Sequence, residues 1–427
     1  MRVCVAGLWH LGIVTAACLA SVGHDVVAFD EDAELVDELR HGRCPVSEPG
    51  LEDLVRAGID AGRLTLSSDR AEALARADVL WIAYDTPVDD ADRADVESVT
   101  TRALALLAHV EPQTFVLVSS QLPVGTTRGF ERAGDGLSTR IAYVPENLQL
   151  GKAIDAFMSP NRIVVGVRPA ADRSVIERLL HPITDRLEWM EVESAEMTKH
   201  ALNAFLATSI AFANEVAVLC ERVGADAREV AHGLKGDARI GRRAYLDPGA
   251  AFAGGTLARD IEFLTEIAGR EHAGAELLAA VRRSNDEHLQ WPQRTVVSLL
   301  DGGAGPVAVW GLTYKVGTDT LRRSSAVELC TALARDGISV RTHDPAISAL
   351  PAGLPAEVTL WRTAVEALDG ASALVVATPW PEFRRVGPDD VVARMARPSV
   401  VDASGALLDT LGRDPRVQYL TVGKASP

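Results

Sequence analysis

Gly7-Leu-Trp-His-Leu-Gly12 follows directly on the apolar run Arg2–Ala6 and leads into a helical pattern, and Asp30 closes the next apolar run eighteen residues later. This is the context a dinucleotide site needs. The first glycine makes the turn, the helix N-terminus faces a pyrophosphate, and the acid takes ribose hydroxyls. Asp30 also favours NAD over NADP, because a 2′-phosphate would meet a like charge. Trp9 stands where the middle glycine is usual, so its indole either points outward or forces the loop back. In the second case the domain is Rossmann-shaped but binds no dinucleotide. Further along, Lys199 and Asn203 are four apart in a helical pattern and share a face. A lysine beside a desolvated carbon stabilises an alkoxide or oxyanion, and a nearby aspartate orients water or moves protons. Spacing alone fits a solvated helix lysine better. Tyr314-Lys315 offers an aromatic face and a cation, which suits a nucleobase beside a diphosphate, or else packing of Tyr314 on its own domain.

The elements that must position these groups alternate over the first 170 or so residues. Arg2–Ala6, Val26–Phe29, Val79–Ala83, Phe115–Ser119, Arg140–Val144 and Ile163–Val167 read as strands with helical stretches between, which gives βαβ units and a parallel sheet. After Glu191 the pattern becomes helical only. Ser194–Glu221 has neither Gly nor Pro and predicts a helix of roughly 40 Å, of the kind that joins domains or builds a dimer interface. A second strand-rich region opens at Val307-Ala-Val-Trp-Gly311, after the turn Asp301–Pro306, and continues with Ser339–His343, Ala373–Ala377 and Ser399–Asp402. The expected fold class is α/β, with two Rossmann-like, doubly wound parallel-sheet domains joined by a helical central domain. The expected boundaries are 1–190, 191–298 and 299–427.

Composition limits the partners. The chain has 427 residues, 47% of them hydrophobic, with 59 acidic against 43 basic and a formal charge of -16. That argues against nucleic acid or an anionic membrane as partner, although a helix N-terminus or a few arginines can still bind a small anion. The five cysteines are scattered, with no CxxC pair, so neither a disulfide framework nor a metal site is expected. A first strand starting at Arg2, with no basic leader and no long uninterrupted apolar window, predicts a cytoplasmic protein.

Several segments together resemble the UDP-glucose/GDP-mannose dehydrogenase family, over residues 1 to about 405. They are Glu48-Pro-Gly-Leu51, Ser120–Thr126, Pro145-Glu-Asn-Leu148, Glu196–Asn203, Pro248–Asp260, Gly311–Lys315 with Gly317–Arg322, and Thr378–Phe383, in the family's order. The resemblance implies an NAD-binding first domain, a dimer built on the long helix, and a C-terminal domain that holds the UDP or GDP of a nucleotide sugar. Residue by residue it implies Gly7, Trp9, His10, Leu11, Gly12, Asp30, Thr86 and Gln121 at the cofactor. Lys199, Asn203, Asp260 and Glu146 would stand around the reacting carbon, with Thr256 at the nucleophile's position. Leu148, Arg239, Phe252, Gly254, Tyr314 and Lys315 would contact the substrate, Arg239 from across the dimer. Glu146 also fits a strand-end carboxylate paired with an arginine.

The sequence departs from the family pattern at five positions. Thr256 replaces the nucleophilic cysteine, Leu150 a second glutamate, Gln121 a threonine near the attacking water, Ser404 a substrate-binding arginine, and Trp9 the glycine. The first three concern the thioester half of a four-electron oxidation, because threonine carries no thiolate-like fraction and its branched Cβ restricts approach. The retained groups suffice for alcohol-aldehyde interconversion. The expectation is therefore NAD-dependent two-electron chemistry on a nucleotide sugar: net oxidation, or redox epimerisation with hydride return. The alternatives are an ordinary four-electron 6-dehydrogenase and a non-catalytic binding homologue.

Overall fold

The computed structural model describes the chain except residues 90–92, 135–139, 170, 172, 254, 303, 304, 426 and 427. Two compact units are present, Met1–Ala201 and Leu202–Pro427.

In the first unit, eight strands form one sheet in the order β3-β2-β1-β4-β5-β6-β7-β8. They are β1 (Arg2–Ala6), β2 (Asp25–Phe29), β3 (Leu64–Ser67), β4 (Val79–Ile82), β5 (Phe115–Val118), β6 (Ile141–Tyr143), β7 (Ile163–Val167) and β8 (Leu187–Met190). Successive residues of β1 serve opposite faces: Val3 and Val5 join one core and Cys4 and Ala6 the other. Burial on both faces explains the unbroken apolar runs, since helices cover both sides of a parallel sheet. The pairing is parallel from β3 to β6, but β7 runs antiparallel to β6. β7 and β8 pair parallel again, so the Rossmann-like parallel sheet that was expected carries one antiparallel junction. An antiparallel neighbour needs no crossover, so the connection 144–162 stays at the carboxyl edge, where β1 and β2 also end. Strands β3 and β8 escaped the sequence reading because each is short and carries exposed polar residues, Thr65 and Glu188.

The second unit carries a six-stranded, all-parallel sheet in the order β11-β10-β9-β12-β13-β14. Its strands are β9 (Val307–Trp310), β10 (Val340–His343), β11 (Val358–Leu360), β12 (Ala373–Val376), β13 (Ser399–Val401) and β14 (Gln418–Leu420). The order reverses between β10-β9 and β12-β13, the arrangement that leaves a crevice at the carboxyl ends. Helices precede the sheet in this unit. The long helix Val192–Val223 extends the predicted Ser194–Glu221 by two residues at each end. Its Ala204, Ala207 and Ala211 pack with Phe252, Ala258, Ile261 and Val281. The helix is long and apolar enough to cross a membrane by length and composition, and 44% of its most apolar window is buried.

The two sheets repeat one device. At the end of β2, Asp30 Oδ2 accepts the Leu8 amide at 2.7 Å; at the end of β10, Asp344 Oδ2 accepts the Leu312 amide at 2.7 Å. Asp344 also accepts from the Thr313 amide and from Trp380 Nε1, so its carboxylate is occupied by its own domain.

Candidate active site

The turn after β1 is closed by contact with its neighbours. Gly7 has φ +93°, and a Cβ there would stand 2.7 Å from the Tyr84 Cα; a Cβ on Gly12 would collide with the Gly7 carbonyl. Only glycine fits either place. Trp9 is 48% exposed, so the indole points outward and the turn is not forced back. His10 Nε2 lies 3.0 Å from Glu48 Oε2, and Glu48 also accepts the amides of Gly151 and Ala153 at 2.8 Å. The fingerprint turn is thereby tied to the connection 144–162. Thr86 Oγ1 donates to the Gln121 carbonyl at 2.7 Å.

This geometry fits the dinucleotide in its tight turn, its helix N-terminus and its acid at the end of β2. Two features modify the expected site. The Leu11 amide, at the helix N-terminus, donates to Asp85 Oδ2 at 3.1 Å. Asp30 is not an isolated charge either: Arg102 Nη2 stands 2.8 Å from its Oδ1, which weakens the like-charge argument against a 2′-phosphate.

Lys199 is 6% exposed, not a solvated helix lysine. Its Nζ donates to the Glu146 carbonyl at 2.6 Å and lies 3.2 Å from Glu146 Oε1. Glu146 is therefore paired with a lysine rather than an arginine. Its other oxygen accepts the Leu148 amide at 2.9 Å. A cleft of about 510 Å³ in the first unit brings Leu11 of the turn together with Glu146 and Leu148, and Thr15, Trp81 and Phe157 also line it.

One turn after Lys199, in the second unit, Asn203 Nδ2 donates to Asp260 Oδ2. Asp260 is fully buried. Thr256 is the first residue of the helix Thr256–Arg270 and is exposed, four residues ahead of Asp260. Phe252 is buried and held by Asn285 through its amide and its carbonyl, both at 2.9 Å. Gly254 lies outside the described residues. Arg239 is turned onto its own loop, with its guanidinium on both oxygens of Asp237. Tyr314 is half-buried and Lys315 exposed.

A cleft of about 570 Å³ opens at the carboxyl ends of β12 and β13, lined among others by Ala250, His288, Ser325, Ala377 and Ser404. It lies beside the reversal of strand order. Tyr314 and Lys315 are not among its lining residues.

The sequence matches three family profiles in succession: the UDP-glucose/GDP-mannose dehydrogenase NAD binding domain over residues 1–184, the central domain over 193–287 and the UDP binding domain over 308–409. The chain belongs to the UDP-glucose/GDP-mannose dehydrogenase family. It is 35% identical over 421 residues to a UDP-glucose 6-dehydrogenase of Pseudomonas aeruginosa, covering 94% of this chain and 93% of that one. It is 33% identical to UDP-glucose 6-dehydrogenase YwqF of Bacillus subtilis, covering 99% and 98%. Among solved structures, a UDP-glucose dehydrogenase from Pyrobaculum islandicum superposes with TM-score 0.81 at 32% identity over 90% of this chain and 91% of that one. A UDP-D-ManNAc dehydrogenase from Pyrococcus horikoshii superposes with TM-score 0.85 at 25% identity over the full length of both. As a member of this family the chain is an NAD-dependent oxidoreductase that takes a nucleotide sugar.

Within that family frame, several residues that support the site were not singled out from the sequence. Asn214 Oδ1 accepts the Gly249 amide at 3.0 Å, and His288 Nε2 lies 2.9 Å from the Gly249 carbonyl. With Asn285 they pin the segment that carries Phe252. Burial holds His288 below its ordinary pKa, so it meets the Gly249 carbonyl through a neutral ring. Asn214 follows Asn203 by eleven residues, close to three helical turns. Two asparagines on one face of an apolar helix are a signal that spacing could have caught. Glu196, on the same helix, accepts the amides of Gly125 and Thr127 at 2.6 and 3.0 Å and so holds the segment after Gln121. At Ser404 an arginine does arrive, but from elsewhere: Arg228 Nη2 donates to the Ser404 carbonyl at 2.9 Å.

Proposed function

We propose that this chain carries out two-electron chemistry on a nucleotide sugar, either as net oxidation of an alcohol to an aldehyde or ketone or as redox epimerisation. The observation that carries the reading is the absence of a usable thiol. Thr256 begins the helix that presents Asp260, and the five cysteines lie elsewhere in the sequence. Burial pushes Cys4, Cys18 and Cys330 up to about 12 and Cys44 to about 11, and Cys220 is buried. No thiolate is on offer to hold the sugar between two hydride transfers.

The bound cofactor would supply a hydride acceptor. The chain's own groups would do the rest. Lys199, buried against Glu146, lowers the cost of a developing alkoxide. Asp260, held by Asn203, takes the hydroxyl proton as the C–H bond gives up its hydride, so one alcohol yields one carbonyl, one NADH and one proton. In the epimerase form the carbonyl would acidify the neighbouring C–H, Lys199, Glu146 or Asp260 would exchange that proton, and the hydride would return from the reduced cofactor to restore the alcohol.

The specific observation for a second reading is the similarity, over nearly the whole chain, to relatives named UDP-glucose 6-dehydrogenase. It favours UDP-glucose as substrate and a four-electron product, reached through a hydrated aldehyde with no covalent intermediate. NADH counted per sugar consumed, across UDP, GDP, CDP and ADP sugars, separates the readings. One NADH per sugar, or sugar interconversion with none, is expected; two per sugar would establish the four-electron enzyme, and Thr256→Cys should then accelerate it. Binding of a nucleotide sugar without any NAD binding would support a non-catalytic homologue.

The reading includes three domains, 1–190, 191–298 and 299–427. It also includes a homodimer through the long helix, whose Phe205, Phe212 and Leu219 recur every seven residues and are 68%, 49% and 61% exposed. All five cysteines are free, which suits a reducing cytoplasm.

A further inference from the structure

The adenosine end of the cofactor site contains a side chain that no motif assigns. Arg102 lies on the helix Val96–Leu107. Its Nη2 is 2.8 Å from Asp30 Oδ1, its Nε donates to Glu31 Oε2 at 3.1 Å, and its guanidinium carbon stands 4.0 Å above the centre of the Tyr84 ring. Tyr84 is itself fixed: it is 1% exposed, its hydroxyl donates to Glu31 Oε1 at 2.9 Å, and its ring and backbone back the first glycine of the dinucleotide turn. One face of the guanidinium thus rests on a buried aromatic. The Arg102 side chain is still 35% exposed, so the other face is the open one.

Asp30 decides what lies next to it. A carboxylate has about four acceptor positions. Three are taken, by the amides of Leu8 and Asp32 and by Arg102. A ribose bound through its two hydroxyls needs one position more than remains. Arg102 can give up its place on Asp30 because Glu31 holds it through both Nε and Nη2. The surface beside Asp30 on that side includes the guanidinium of Arg102, stacked on Tyr84 and partly exposed.

We infer that Arg102 is the adenine platform of this enzyme, a specificity-determining residue whose guanidinium plane, clamped between Glu31 and Tyr84, stacks on the purine of the dinucleotide. The inference rests on NAD as the cofactor and is independent of the number of electrons transferred. A planar cation on a π-face gains from dispersion and from the ring's quadrupole, and a lysine reproduces the charge without the plane.

The test is calorimetric binding to the full-length protein with two fragments of the cofactor: ADP-ribose, which carries the adenine, and nicotinamide mononucleotide, which does not. Arg102→Ala and Arg102→Lys are each expected to weaken ADP-ribose about tenfold and to leave the mononucleotide within about twofold. Glu31→Gln, which loosens the clamp without removing the plane, should weaken ADP-ribose by about threefold. Full affinity in Arg102→Lys would show that charge and not the plane matters, and would overturn the inference. So would equal weakening of both fragments, which would mark a structural role, or unchanged ADP-ribose binding in all three variants.

Discussion

Asp85 holds the place where a pyrophosphate would meet the first helix. Its carboxylate accepts the Leu11 amide, and an anion at a helix N-terminus is stabilised there whatever molecule carries it. Cofactor binding at that amide must displace the internal anion. Asp85→Ala is therefore expected to tighten NAD binding by about tenfold, near the upper end of what one helix-terminus anion contributes. Calorimetry on the variant checks this, and unchanged or weaker binding would show that Asp85 serves the cofactor instead. Lys199 and Asp260, both proposed to act on the sugar, are each buried and partnered within their own unit. Lys199→Met should lower kcat by at least about a hundredfold with little change in KM, if its charge acts on the transition state.

Among elements, the long helix is fastened to the first sheet by charge as well as by packing. Arg168, just beyond β7, makes paired hydrogen bonds to Glu131 and to Glu193 in the helix's first turn. The hydrogen bond from Arg168 is the main cause holding Glu193 at about 2, well below its ordinary 4.5. A depressed carboxylate contributes stability above its unfolded value and loses it as pH falls through the folded one. The Glu193 contribution is thus full above about pH 4.5 and fades toward pH 2. Arg168→Met should cost about 1–3 kcal/mol at neutral pH, between the values for exposed and buried ion pairs. Urea unfolding of the two proteins should converge as the pH is lowered across that window; a constant gap would exclude Glu193 as the source. The elements themselves were largely legible. Runs such as Val79–Ile82 and Phe115–Val118 are buried on both faces and announce themselves by composition. The direction of β7 did not, because pairing orientation depends on where the connection 144–162 travels and not on the residues of the strand.

At the scale of the whole molecule, the exposed Phe205, Phe212 and Leu219 lie on one side of the long helix, and a second copy of the chain is the proposed cover. Phe205→Glu with Phe212→Glu should convert a dimer to a monomer in sedimentation, while circular dichroism stays that of the folded chain; a dimer that survives would place the interface elsewhere. The sequence by itself determined the class of molecule. Gly7, Gly12 and Asp30, the ordered run of segments from Glu48 to Phe383, and a threonine at position 256 are local facts, each set by backbone geometry or by the chemistry of one side chain. Only the tertiary structure decided what those residues meet. Asp85 reached the Leu11 amide, Arg102 reached Asp30 from 72 residues away, Arg228 reached Ser404 from 176, and Lys199 found Glu146 rather than solvent. Each of these is a contact between charged or polar groups distant in sequence. Hydrophobic periodicity specifies which faces are buried, but it carries no information about which polar partner will be waiting there.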